Sequence, residues 1–446
     1  MNILRTLGAP LVLPLAERWT GRSIRPKVRA IAAEMQLSGE ARLVRRRQQL
    51  AAILARAQAE VPYYRELFAL LHFDPQRVAR DVAYLGDLPV LTKDILREQG
   101  DRMLSQKYLK GSLHVRKTGG STGASVPIYY SPQALDWTAA VNRYAVGTTG
   151  RRAADLEVHL ASRYPQQFPL RDRLKEHAKC LALNRANIFT DRFDGDALAL
   201  IWQKLRRQRP YLVQAHPSTL YALAVWLAGE QRDARDTFRV FESTGEVLDE
   251  RKRRTIEQVF GCRTVNRYGN AEFGVVAYEQ PACEKPGDLP GRLRVFDCLA
   301  WPETIERSGG TELLATGLCN DAMPLVRYAT GDLAQLESAE NGFFLSALVG
   351  RTHDVVSIGT RTYPTHYLQD VLDRLGGIDE FQVEQLDRGR LRLSLVVGDA
   401  SRRAIIAERV QAWWPGDIEL EFKDFAGLKR EGWRSKFRYL VAKGAA

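Results

Sequence analysis

The chain has 446 residues, 65 Lys and Arg against 53 Asp and Glu, and a formal net charge of +12. That length suggests two or three domains, and 45% hydrophobic with 26% charged residues is ordinary for a soluble globular protein. The positive excess favours anionic partners such as nucleotides or CoA. Arginine is spread along the whole chain without an aromatic–basic array, which argues against nucleic acid as the partner. The five cysteines, Cys180, Cys262, Cys283, Cys298 and Cys319, form no C-x-x-C pair and are odd in number. That pattern points to reduced thiols in the cytoplasm, not to a disulfide framework or a zinc site.

An apolar run from Leu7 to Ala16 contains Pro10 and Pro14. It is shorter than the roughly 20 residues a membrane span needs and lacks an evident cleavage site. It reads as a docked N-terminal helix, with membrane contact at most peripheral. Over residues 27–60, Leu43, Leu50, Leu54 and Ala57 recur at helical spacing, which places Arg45, Arg46 and Arg47 on the opposite face. Residues 1–60 are thus expected to be a helical N-terminal segment, stopped at Val61-Pro62. Thr92 is the expected N-cap of a helix running through Leu96.

Next comes Lys117-Thr118-Gly119-Gly120-Ser121-Thr122-Gly123. Three glycines permit positive φ and close approach of a ligand. Successive backbone N–H groups can form an anion nest suited to a triphosphate. A Walker loop would continue into Lys-Ser/Thr and a helix. Here Val126-Pro127-Ile128-Tyr129-Tyr130 follows, so the spacing predicts a hairpin between two strands. Taken alone, this loop reads equally well as a surface hairpin that binds nothing.

From residue 133 to 226, helical stretches alternate with the strand-like Val158–Ala161 and Tyr211–Gln214, as in βαβ units. His216 follows a strand, where ligands gather in open α/β sheets; a histidine there is also common as a satisfied loop residue. Val240–Thr244 runs into Gly245-Glu246, and Arg263–Arg267 runs into Tyr268-Gly269-Asn270-Ala271-Glu272. Tyr268 offers a ring for stacking, and Glu272 a hard oxygen for Mg²⁺. Either alone also reads as a core tyrosine or a solvated glutamate. Arg327-Tyr328-Ala329-Thr330-Gly331-Asp332 supplies a carboxylate able to accept two hydroxyls. Residues 365–375, then Leu391, Leu393 and Leu395, then Ile405, Ile406, Val410 and Trp413, and finally Ile418, Leu420 and Phe422 describe a helix–strand–helix–strand domain of α+β type.

Thr-Gly-Gly-Ser-Thr-Gly, Gly245-Glu246, Tyr-Gly-Asn-Ala-Glu, Arg-Tyr-Ala-Thr-Gly-Asp and Gly350-Arg351, in this order and spacing, resemble the adenylate-forming enzymes. The likeness is greatest to the phenylacetate–CoA ligase branch with its capsule-biosynthesis relatives, and it extends over nearly the whole chain. It implies an α/β fold: a large multi-sheet N-terminal domain, 1–350, and a small mobile α+β domain, 351–446. Residues 118–123 would grip the phosphates, with Thr118 also catalytic. Gly245, Glu246, Tyr268 and Gly269 would line the adenine, Asp332 the ribose, and Arg351 the ribose and phosphate. His216, Tyr268, Asn270 and Ala271 would border the acid. Glu272 would bind Mg²⁺, and the hinge would lie at His353, where the family carries aspartate or lysine. Lys436 matches the family's catalytic lysine, although Ser435 replaces the usual glycine; Lys429 is its rival. The resemblance implies ATP-dependent activation of a carboxylic acid and transfer to CoA. Transfer to an amine or carrier protein, and a nucleotide-binding relative without turnover, are the alternatives. A homodimer stays open.

Overall fold

A computed structural model describes residues 14–15, 17–118, 125–161, 169–189, 192–280, 291–307, 310–351, 355–387, 389–431 and 436–441. Gly119, Gly120, Ser121, Thr122, Gly123, His353 and Cys283 therefore lie outside the described residues. In chain order come helices α1 (Ile24–Glu34), α2 (Gly39–Glu60), α3 (Pro62–Leu70) and α4 (Lys93–Gln99), then strands β1 (His114–Lys117) and β2 (Pro127–Tyr130) and helix α5 (Pro132–Thr148). Then follow β3 (Glu157–Ala161), α6 (Leu170–Ala182), β4 (Arg185–Phe189), α7 (Gly195–Gln208), β5 (Leu212–Ala215), α8 (Pro217–Gly229), β6 (Val240–Thr244) and α9 (Glu250–Phe260). An antiparallel run consists of β7 (Arg263–Asn270), β8 (Gly274–Glu279), β9 (Leu293–Val295), β10 (Ala300–Arg307), β11 (Gly310–Gly317), β12 (Tyr328–Ala339) and β13 (Gly342–Arg351). The last section holds β14 (Val355–Ile358), β15 (Arg361–Pro364), α10 (Thr365–Leu375), β16 (Glu380–Asp387), β17 (Arg390–Val396), α11 (Arg403–Trp413), β18 (Ile418–Lys423), β19 (Arg430–Glu431), β20 (Lys436–Phe437) and β21 (Leu440–Val441). This is the mixed α/β class that the sequence implies.

Backbone contacts divide the described residues into two units. One comprises residues 13–151 and 266–351; the other comprises 152–265 and 352–446. In the first, the strands run in the order β10-β11-β12-β13-β9-β8-β7, and the pairings recorded between them are antiparallel. Leu54, Tyr64, Phe68, Ile128, Tyr328 and Leu345 belong to its core. The single helix expected over 27–60 is two helices. Met35 caps α1, and Gly39, at φ +53°, begins α2 after the turn. Pro62 ends α2 and also opens α3 at its first position, where a missing N–H costs nothing. Thr92 caps α4 as expected, its hydroxyl accepting from Ile95 N at 3.3 Å.

Arg46 departs from the expected solvent-facing stripe. Its side chain is fully buried, and its Nε donates to Asp297 Oδ1 at 3.0 Å while Nη1 pairs with Glu34 at 2.5 Å. Arg42, one turn earlier, is also buried and pairs with the other Asp297 oxygen. Asp297 stands in the turn before β10, far away in sequence, so periodicity within the helix gave no sign of it.

In the second unit the order β4-β3-β5-β6 is parallel throughout its recorded pairings, connected by helices as a βαβ reading requires. Helix α8 is buried on nearly every side. The C-terminal part of this unit has the sheet order β18-β17-β16-β21. Leu391, Leu393 and Leu395 all point into its core with Leu368, Leu372 and Val410. The tryptophan that closes this core is Trp414, while Trp413 is half exposed. No helix among the described residues is long and apolar enough to cross a membrane.

Candidate active site

The phosphate-loop segment is a hairpin. β1 and β2 pair antiparallel, Lys117 facing Pro127 and His114 facing Tyr130. Thr118 closes the loop from inside: its N–H donates to Val126 O at 3.0 Å, and its hydroxyl accepts from Val126 N at 3.0 Å. Ser125 Oγ donates to the Thr118 carbonyl at 2.7 Å. Thr118 is buried, with both its N–H and its hydroxyl engaged by Val126.

In the same unit, β7 ends in Tyr268-Gly269-Asn270 and turns into β8. A Cβ on Gly269 would stand 2.4 Å from Gly274 O, so this tight turn accepts only glycine. Asn270 Oδ1 accepts from Phe273 N at 2.9 Å, and the Ala271 carbonyl accepts from Tyr130 OH at 2.6 Å. The second bond ties the β7–β8 turn to β2. Tyr268 OH donates to Asp332 Oδ2 at 2.8 Å. Burial and the neighbouring Asp332 carboxylate push this phenol well above its usual range, so it stays a neutral donor. Tyr328 OH donates to Glu272 Oε1 at 2.8 Å, and burial followed by the Glu272 charge raises that phenol in the same way. Both Asp332 and Glu272 are thus held by a tyrosine hydroxyl.

The Arg-Tyr-Ala-Thr-Gly-Asp segment divides its labour. Arg327 is structural, donating to Gly86 O at 2.9 Å and pairing with Glu303 at 3.1 Å. Thr330 Oγ1 donates to Leu313 O at 2.8 Å, and Gly331 takes φ +76° to swing Asp332 into place. The backbone of Arg351 is the β13 partner of Asp332.

In the other unit, His216 and Gly245-Glu246 follow the adjacent parallel strands β5 and β6. His216 Nδ1 is 2.9 Å from Thr244 O and 3.9 Å from Glu246 Oε1. Gly245 takes φ +82°. Glu246 is the centre of this group. It accepts from Ser218 N at 3.2 Å and from Phe437 N at 2.8 Å. Burial works against its charge, but His216, Arg430 and these donors outweigh it and hold the carboxyl below its usual range. The family resemblance implies an adenine role for Glu246; in the structure its carboxylate holds the C-terminal tail. Lys436 and Phe437 form β20, which pairs with β19. Lys436 is thus the residue before the one whose N–H is bound to Glu246. Lys429, the rival, pairs with Glu384 at 3.1 Å on a half-exposed surface.

Sequence reasoning missed Tyr328 as the partner of Glu272, and Arg430. Arg430 lies over the Phe193 ring at 3.6 Å and donates to Ser218 Oγ at 3.2 Å. The first had a signal, the Arg-Tyr pair itself; the second had none beyond a basic tail.

No family model matches the chain. It is similar to protein CapK of Staphylococcus aureus, 24% identical over 356 residues, covering 77% of this chain and 76% of that protein. It is also similar to the phenylacetate-coenzyme A ligase of Pseudomonas putida, 25% identical over 388 residues, covering 78% of this chain and 84% of that enzyme. Among solved structures, 2-hydroxyisobutyryl-CoA ligase with a bound acyl-adenylate superimposes with a TM-score of 0.69 at 16% identity, covering 91% of this chain and 90% of that one.

Proposed function

We propose that this chain, which resembles the phenylacetate–CoA ligase and capsule-biosynthesis branch of the adenylate-forming enzymes, activates a carboxylic acid with ATP and passes the acyl group to CoA. A carboxylate oxygen attacks the α-phosphorus of ATP, the bond to the β-phosphate breaks, and pyrophosphate leaves. The thiol sulfur of CoA then attacks the acyl carbon, its proton is lost, and AMP departs. The observation that carries this reading is the Tyr268–Asp332 hydrogen bond. It draws together two segments far apart in sequence, both matching the family's nucleotide motifs.

The roles follow from what each group offers. Thr118, with Gly119, Gly120, Ser121, Thr122 and Gly123, binds phosphate through N–H and hydroxyl donors. By the family resemblance Tyr268 and Gly269, and separately Gly245 and Glu246, each take a role toward adenine, and Asp332 accepts the ribose hydroxyls. By the same resemblance His216, and separately Asn270 and Ala271, take roles toward the acid. Arg351 and Lys436 offset the charge gathered when two anions meet. Among the described residues no group of three or more His, Cys, Asp or Glu could hold a metal ion. Mg²⁺, however, asks for one or two carboxylates beside phosphate oxygens and water. Glu272 fits that demand, and the ion it would hold supplies positive charge to the phosphates. Residues 351–446 serve as the mobile domain, turning near His353 between the two half-reactions.

The nucleotide assignment is tested at Asp332. Replacement by alanine removes the acceptor for both ribose hydroxyls. Charged hydrogen bonds are worth about 1.5–3 kcal/mol each, so KM for ATP rises at least tenfold. Steady-state kinetics measures this, and an unchanged KM overturns the role given to Asp332.

A further inference from the structure

Lys252 stands in the first turn of α9 and is almost completely buried. A buried ammonium survives only with partners, and here three converge. Glu380 Oε2 lies 2.8 Å and Asp249 Oδ2 3.2 Å from its Nζ, and Nζ also donates to Tyr439 OH. Tyr439 OH in turn reaches Asp249 Oδ2 at 3.3 Å. Burial alone would depress the ammonium, but Glu380, Tyr439 and Asp249 more than reverse this and hold it charged. Beside it, Arg251 donates to the Ile378 carbonyl.

Every partner except Asp249 belongs to the C-terminal section. Glu380 opens β16, and two residues along that strand Gln382 grips the tail. Its Nε2 donates to the carbonyls of Lys429 at 2.7 Å and Arg438 at 2.9 Å, and its Oε1 accepts from Lys429 N at 2.8 Å. The tail so held is the one whose Phe437 N–H is bound by Glu246. A continuous set of contacts thus runs from α9 through Lys252, Glu380 and Gln382 to the strand carrying Lys436.

We propose that Lys252 is a positioning residue for the first half-reaction, clamping the C-terminal section against α9 so that the strand of Lys436 stays bound to Glu246. This rests on the function proposed above. The clamp has to open for the section to move, so it favours adenylation and takes no part in attack by CoA.

The test uses the full chain with Lys252→Met, Lys252→Arg and Glu380→Gln. Circular dichroism checks the fold. Two half-reactions are measured: acyl-adenylate from acid and ATP, and thioester from supplied acyl-adenylate and CoA. Amide hydrogen exchange over residues 436–441 reports tail docking without any need for activity. Lys252→Met is expected to slow the first half-reaction at least about tenfold, the effect of a 1.4 kcal/mol bias in the docked population. It leaves the second within about twofold and speeds exchange in the tail. Lys252→Arg keeps the charge and recovers most of the first step. If Lys252→Met fails to fold, Glu380→Gln carries the same expectations. Equal loss of both half-reactions in a folded variant, or unchanged tail exchange, overturns the clamp. If the wild type activates no acid, the proposed function fails, and tail exchange alone decides whether Lys252 docks the tail.

Discussion

Replacing Lys436 by alanine lowers acyl-adenylate formation by about 10²–10³, the usual cost of one preorganised electrostatic group. The first half-reaction drives a carboxylate onto a phosphate, and a cation between them is worth most as charge is rearranged. Lys436 is on β20, and the residue after it is fixed to Glu246 by a 2.8 Å hydrogen bond. Its backbone is therefore placed before substrate arrives. Thioester formation from supplied acyl-adenylate and CoA should stay near the wild-type rate, because in the proposed account that step uses another orientation of the C-terminal section. Lys429→Ala is the control. That lysine already pairs with Glu384 on the surface, so both steps should be nearly unchanged. Necessity of Lys429 in place of Lys436 would show that the tail has been matched to the wrong lysine. Equal loss of both steps would remove the two-orientation account.

Asp297→Ala should destabilise the unit of residues 13–151 and 266–351 by about 3–5 kcal/mol, the penalty for leaving buried charge without its partner. Two guanidiniums depend on this carboxylate, Arg42 and Arg46, and both are buried. Arg46 retains Glu34, whereas Arg42 would keep, among the described residues, a 3.3 Å bond to the Ala339 carbonyl and its place over the Phe343 ring. In a unit of this size the loss lowers the melting temperature by roughly 10 °C. Glu40→Ala is the comparison. The Arg47–Glu40 pair at 3.3 Å is largely exposed, so its removal costs at most about 1 kcal/mol. Thermal unfolding followed by circular dichroism separates them, and equal melting temperatures for the two variants would contradict the burial argument.

What could be read from the sequence was local. Thr118 and Val126 closing a hairpin, Thr92 capping a helix and the alternation of Leu391, Leu393 and Leu395 each follow from neighbours within ten residues or so. Tyr268, Gly269, Glu272 and Asp332 were picked out by their resemblance to family motifs, and the structure shows glycine there where a Cβ would clash or φ is positive. What was hidden was long-range. Nothing within α2 says that Arg46 will meet Asp297. Nothing around Lys252 says that it will be enclosed by Glu380 and Tyr439. Glu246 illustrates the limit: its turn was found, but its grip on Phe437 N depends on a strand 191 residues away. Burial of charge is decided by tertiary partners, and periodicity can report only the face on which a residue stands.

Acid-dependent exchange of labelled pyrophosphate into ATP tests the central claim most directly. It requires the reversible first half-reaction and no acceptor. With Mg²⁺, ATP and a panel of aryl and medium-chain acyl acids, the wild type should incorporate label into ATP only when a suitable acid is present. Several related acids should work, because an apolar pocket separates a single methylene by only about 1–3 kcal/mol. Exchange should fall in Lys436→Ala. Folded protein that gives no exchange with any acid, or exchange that is the same without acid, would contradict carboxylate activation by this chain.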